Sequence, residues 1–176
     1  IYRHYDASVK RNEFYGVIKD SSVKFVFNPN VSMSKVFKTI NYEGSNGWEV
    51  NSFESDFTGI GSPTTRVSNT QDSTTLVYSY NQGSYDGLGN EYGTGTTQLI
   101  PPIYHAGFDR KENKYVASII NASNPNEAEV AYGDQISGIK GNYVTVTMQT
   151  DSITDNEGVK ELFSVSSKYA KNSGYQ

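Results

Sequence analysis

Only two imidazoles occur in the chain, His4 and His105, so any nucleophilic catalysis by histidine must use one of them. Such catalysis needs a hydroxyl or thiol, a base and an orienting group within hydrogen-bond reach. Neither histidine stands near a Gly-x-Ser-x-Gly elbow. His4 sits in IYRHYD and His105 in IYHAGF, both strand-like aromatic contexts. The better reading of each is a half-buried strand histidine bonded to backbone. Glycoside hydrolysis would need two carboxylates facing each other about 5–9 Å apart. With 19 acidic residues such pairs can be found anywhere, and Glu49 and Glu54, both near Trp48, are the least unsuitable. Trp48, Tyr85 and Tyr92 could form a sugar-stacking platform, although aromatic residues more often supply packing area in sheets and interfaces.

Oxygen-rich stretches occur twice: Asp151 to Gly158, containing Asp155, Asn156 and Glu157, and Asp86 to Glu91, containing Asn90. Neither has the Asp-x-Asp-x-Asp-Gly spacing that supplies calcium with oxygens at defined loop positions. Acidic turn residues at strand ends account for both. The chain has no cysteine, which excludes disulfides and thiolate metal sites. The Gly-rich run YDGLGNEYGTGTT lacks the Gly-Lys-Ser/Thr of a phosphate cradle. The expectation is therefore no catalytic residue, no cofactor-binding residue and no metal ligand.

The elements around these residues are extended. In Ser22–Asn28, Val23, Phe25 and Phe27 share one face, and Lys24, Val26 and Asn28 the other. In Lys35–Glu43, Val36, Ile40 and Tyr42 alternate with Phe37, Thr39 and Asn41, with Lys38 interrupting the apolar set. Val144, Val146 and Met148 alternate with Tyr143, Thr145 and Thr147. Period-2 patterning describes strands with one buried face. Further strands are expected at Ile1–Tyr5, Phe14–Ile18, Trp48–Phe53, Leu76–Tyr80 and Glu129–Tyr132. A hairpin is expected from Ile103–Phe108 and Lys114–Asn121 around Asp109–Asn113. Asn28-Pro29-Asn30 and Gly44-Ser45-Asn46-Gly47 are turn signals. Val159–Ala170 has helical spacing at Val159, Leu162, Phe163 and Ser166, but the β-branched and aromatic alternation of LFSVS favours a strand.

The fold class is thus all-β, with sandwich-like antiparallel sheets and long Gly/Ser/Thr-rich loops. Val, Thr and 14 tyrosines suit pleated surfaces, while Ala and Leu are scarce. A length of 176 residues fits one β domain, with strand-rich parts at about 1–57 and 98–176 separated by loop-rich 58–97. The first residue is Ile1, already strand-like, so a processed product or a fragment of a larger protein is expected. No apolar run approaches the roughly 20 residues of a membrane helix. The net charge of −4 does not favour holding a polyanion. Lys10–Arg11 and Arg110–Lys111, each beside acidic residues, suit charged hairpin tips better than phosphate clamps.

Several blocks carry a resemblance. RHYD, RNEFYG, SSVKFVFN and SKVFKTINYEGS, then LIPPIYHAGFDRKENKYVASIIN, SGIKGNYVTVTM and GVKELFSVSSKY, resemble the C-terminal region of the tail nozzle, or muzzle, proteins of crAss-like short-tailed bacteriophages. The resemblance spans most of residues 1–57 and 98–176. It implies a virion structural subunit, without catalytic activity, in a ring at the distal end of the tail. The implied partners are other copies of itself, expected as a hexamer, an upstream portion of the same polyprotein or gene product, and other tail proteins. DNA is met only in passage through the channel that the nozzle closes or lines. The implied location is the virion tail, assembled in the bacterial host cytoplasm. A carbohydrate- or receptor-binding β module is the alternative, favoured if Trp48, Tyr85 and Tyr92 form an exposed cluster.

Overall fold

The structure, a computed structural model, describes residues 9, 12–56, 77–93, 98–119, 138–151, 153–154 and 158–171. Among the described residues there are twelve strands and no helix. They are β1 Glu13–Phe14, β2 Val17–Ile18, β3 Ser22–Phe27, β4 Lys35–Gly44, β5 Trp48–Ser55 and β6 Ser84–Asp86, then β7 Ile103–His105, β8 Asp109–Lys111, β9 Lys114–Ser118, β10 Ile139–Gly141, β11 Val144–Thr150 and β12 Leu162–Lys171. All pairings are antiparallel. The all-β, sandwich-like expectation holds.

Two sheets enclose one core. The first has β4 at its centre: β12 runs along one edge, and β10 and β9 share the other, with β8 outside β9. The second has the order β3-β11-β5. The chain passes between sheets at the short links from β4 to β5 and from β10 to β11. At the second link Asp56 clamps Asn142, accepting its backbone N–H at 2.8 Å and its side-chain amide at 2.6 Å. Ser55 Oγ donates to Lys140 O at 3.0 Å beside it.

Phe37, Ile40 and Tyr42 from β4 meet Val50 and Phe53 from β5 and Val144, Val146 and Met148 from β11 in the fully buried layer. Each such side chain contributes about 1.5–3 kcal/mol by leaving water. On β3 the expected apolar face, Val23, Phe25 and Phe27, packs against this layer, while Ser22, Lys24 and Val26 are exposed.

Strict alternation does not place these residues. Lys168 of β12 pairs with Thr39 but Tyr169 pairs with Phe37, so Lys38 is an extra residue in β4. Thr147 of β11 pairs with Ser52 but Met148 pairs with Val50, which makes Asn51 the extra residue in β5. A bulge shifts the side-chain parity by one. Hence Phe37 lies on the same face as Ile40 and Tyr42, contrary to the sequence reading that set it opposite them. Trp48 and Val50 likewise share the core face with Phe53 and Ser55. The carbonyl freed at Lys38 accepts the Ile119 N–H at 2.8 Å. A third extra residue, Phe163, falls between Leu162, paired with Gly44, and Ser164, paired with Glu43, and is 73% exposed.

Other expectations change locally. Phe14–Ile18 is a hairpin, not one strand: Phe14 pairs with Val17 across Tyr15 and Gly16, whose φ values are 54° and 79°. Glycine takes this conformation without strain. Ile103–His105 pairs with Ser84–Asp86, a strand inside the stretch read as loop, and Lys114–Ser118 pairs with Asp109–Lys111, read as a turn. Of Leu76–Tyr80, Val77 forms a bridge to Val50. Val159–Ala170 resolves as the strand Leu162–Lys171. Ile1–Tyr5, Lys10–Arg11 and Glu129–Tyr132 lie outside the described residues.

The packing yields a contrast. Phe37→Ala is expected to cost about 3–5 kcal/mol, whereas Phe163→Ala is expected to stay within about 0.5 kcal/mol. Urea unfolding of both variants checks this, and equal losses would refute the assigned bulges.

Candidate functional site

His105 does meet a serine. Its Nδ1 lies 2.9 Å from Ser84 Oγ, its cross-strand partner on β6. The Ser84 hydroxyl donates its proton to the Tyr80 carbonyl oxygen. Ser84 Oγ therefore accepts from Nδ1–H, the reverse of the transfer that would activate a nucleophile. The His105 ring stacks on Tyr80 with centroids 4.0 Å apart, and Tyr80 packs edge-on to Tyr115 at 6.0 Å. Tyr115 in turn stacks on Tyr42 at 4.7 Å. Burial pushes the Tyr42 and Tyr115 hydroxyls above the usual tyrosine range, so both are neutral packing groups. His105 thus belongs to an aromatic column tying the β6–β7 hairpin to the first sheet. His4 lies outside the described residues.

The acidic candidates act as loop fasteners. Asp86 is buried and accepts four hydrogen bonds. Its Oδ1 takes the backbone N–H of Leu88 at 3.0 Å and of Asn90 at 2.9 Å. Its Oδ2 takes the Asn90 side-chain amide at 2.9 Å and the Ile100 N–H at 3.2 Å. The Asn90 amide, with the backbone donors, holds this carboxyl below the usual aspartate range against the opposing effect of desolvation. Asp151, also buried, accepts the Ser79 hydroxyl and the N–H groups of Ile153 at 3.2 Å and Thr154 at 2.6 Å. The oxygens of Asp86 are engaged by amides, and those of Asp151 by two amides and the Ser79 hydroxyl. No group of three or more metal-ligating side chains occurs among the described residues. Asp155, Asn156 and Glu157 lie outside them.

The bulge at Asn51 puts Glu49 and Glu54 on the same outer face of β5, away from the core. They are occupied differently. Glu49 is buried and accepts from Gln149 Nε2 at 2.6 Å, while exposed Glu54 pairs with Lys24 at 3.4 Å. Trp48 is 6% exposed and donates its indole N–H to Glu161 O at 3.2 Å, so it is not a surface platform. Tyr85 and Tyr104 do stack on the open face of the β6–β7 hairpin, centroids 5.6 Å apart, with Tyr104 46% and Tyr92 38% exposed.

Apolar side chains also reach the surface. At the β1–β2 hairpin Phe14, Tyr15, Val17 and Ile18 are all exposed. Between β3 and β12 an open groove of about 330 Å³ is lined by Val23, Phe25, Trp48, Leu162, Phe163 and Val165. Sequence reasoning missed both features. The Tyr15-Gly16 pair was the available signal for the hairpin, but no pattern announces a groove between strands so far apart in the chain.

These observations define a β-sandwich whose polar side chains lock loops and whose exposed apolar segments suit assembly. The chain belongs to the Crassvirus muzzle protein C-terminal domain family, which it matches over residues 9–122, more than half its length. That membership makes it a structural component of a phage tail. No curated protein and no solved structure matches it.

Asp86 predicts a pH dependence with a definite sign. A carboxyl whose folded value is depressed contributes stability above its unfolded value, near 3.8, and loses it as pH falls through the lower folded value. Asp86→Asn should therefore lower the thermal midpoint at pH 7, and the gap from the unsubstituted chain should shrink at pH 2. A gap of equal size at both pH values, measured by thermal unfolding, would show that the carboxylate charge is irrelevant.

Proposed function

We propose that this chain is a subunit of the ring that closes or lines the DNA exit channel at the distal end of the tail. Membership of the muzzle family is the observation that carries the reading. Three physical features support it. The candidate acids Asp86, Asp151 and Glu49, with His105, take part in local hydrogen bonds that fasten loops and strands. Exposed hairpins and open sheet edges are the surfaces through which β subunits join. A net charge of −4 gives a passing polyanion no counterion-release affinity, so DNA slides instead of sticking. In this reading the ring contains about six copies, joined to an upstream portion of the same gene product and to other tail proteins, and it assembles in the host cytoplasm.

The exposed Tyr85–Tyr104 stack with Tyr92 favours one second reading, a surface that stacks on receptor carbohydrate. Burial of Trp48 removes the largest ring from such a platform.

Imaging intact virions with this polypeptide labelled tests the main reading. Density at the distal tail tip is expected; labels inside the capsid or on lateral fibres would defeat it. Duplex DNA should bind the purified chain more weakly than about 10⁻⁴ M at physiological salt. Micromolar binding in a filter assay would contradict a conduit. Binding of host capsular glycan, lost on Tyr104→Ala, would support the second reading instead.

A further inference from the structure

A backbone nitrogen can attack the side-chain carbonyl of the residue before it. The nitrogen must be near, free of any other acceptor, and unshielded by a side chain of its own. The chain contains one Asn-Gly dipeptide, Asn46-Gly47, and one Asp-Gly dipeptide, Asp86-Gly87. The fold treats the two in opposite ways.

Asn46-Gly47 lies in the link from β4 to β5, where the chain crosses from one sheet to the other. The link is pinned on both sides of Asn46. Ser45 N–H donates to Glu161 O at 2.9 Å, and Ser45 Oγ accepts the Glu161 N–H at 2.8 Å. Gly47 O accepts the Asp151 N–H at 2.9 Å. Gly47 has a φ of 102°, and a methyl group on it would stand 2.8 Å from Lys160 Nζ. The link thus closes with a glycine at this position, and glycine takes the conformation without strain. That choice leaves the nitrogen with no side chain to shield it.

The Gly47 N–H makes its hydrogen bond to Asn46 Oδ1, at 2.8 Å. A carbonyl bond is about 1.23 Å long, so Asn46 Cγ lies within about 4 Å of the Gly47 nitrogen. Rotation of the carboxamide brings that carbon into the range of roughly 3–3.5 Å from which attack proceeds. Among the described residues no other hydrogen bond holds the Asn46 side chain, and it is only half-buried, so water reaches it. Asp86 is the reverse. Its oxygens are held by the N–H groups of Leu88, Asn90 and Ile100 and by the Asn90 amide. These bonds keep it a carboxylate at neutral pH, a form that offers an attacking nitrogen no leaving group.

We propose that Asn46 is a site of spontaneous deamidation in the folded protein. The Gly47 nitrogen, after losing its proton to hydroxide, bonds to Asn46 Cγ. The bond from Cγ to the side-chain nitrogen breaks, and that nitrogen takes a proton from water and leaves as ammonia. The cyclic imide then adds water at either carbonyl, giving aspartate or isoaspartate. No oxidant, reductant or cofactor is consumed. Both products add one negative charge. Isoaspartate also adds a methylene to the main chain of a link pinned on both sides, so it is the product that disturbs the corner between the sheets. This chemistry is independent of the ring reading and holds for the chain in any assembly that leaves the corner exposed to water.

The test keeps the purified full chain folded at neutral and at mildly alkaline pH. Peptide mapping by mass spectrometry follows each asparagine, and labelling by an isoaspartyl methyltransferase reports isoaspartate. Asn46 is expected to lose its amide at least about tenfold faster than any other asparagine. Its rate should rise in proportion to hydroxide, and Asp86 should stay unlabelled in the folded chain. Asn46→Gln moves the carboxamide one methylene further from the nitrogen and should remove most of the label while the fold, followed by circular dichroism, is unchanged. An Asn46 that stays intact in the folded chain but reacts in guanidinium would overturn the inference, because the fold would then shield the dipeptide. Faster loss at another asparagine, or a label undiminished by Asn46→Gln, would overturn it equally.

Discussion

Everything described depends on one apolar layer shared by two sheets. β4 supplies Phe37, Ile40 and Tyr42; β5 and β11 supply Val50, Phe53, Val144, Val146 and Met148. A sheet can bury a long strand against another only while its side chains stay in phase with the core. The bulges at Lys38 and Asn51 maintain that phase by resetting parity midway along β4 and β5. They also keep Lys38, Glu49 and Glu54 off the core face, where an ammonium or carboxylate would need a partner to offset its lost hydration. The bulge at Phe163 has the opposite consequence, turning a large ring outward beside the groove.

Buried polar groups follow the same logic of satisfaction. Lys35 is fully buried, and its ammonium caps the Asn28–Ser34 turn by donating to the carbonyls of Pro29 at 2.5 Å and Asn30 at 2.9 Å. Asp86 and Asp151 gather loop amides, and Asp56 clamps the corner between β10 and β11. At Asp86 these bonds hold the carboxyl below the usual aspartate range. These same groups would otherwise be the natural candidates for catalysis or cation binding. In the structure each of them is instead engaged in local hydrogen bonds.

A muzzle-family tail protein built this way carries its function on its outside. Its sheets end in open edges and short apolar hairpins, which cost little in a monomer kept at low concentration but reward assembly once neighbours cover them. The aromatic column from Tyr42 through Tyr115 and Tyr80 to His105 packs the paired β6 and β7 strands against the first sheet.

The sequence by itself determined the fold class, the alternating faces of β3 and β11, the Asn28-Pro29-Asn30 turn and the strand character of Leu162–Lys171. These rest on period-2 patterning and local turn chemistry, which act between residues close in the chain. The tertiary structure decided the parity of β4 and β5, because a bulge is set by the partner strand opposite it and leaves no mark in hydropathy. It also paired Ser84–Asp86 with Ile103–His105, bonded His105 to the Ser84 side chain where a backbone partner was expected, and buried Trp48. The groove between β3 and β12 exists only because strands about 140 residues apart in sequence are stacked by two different sheets, and no local pattern encodes such a meeting.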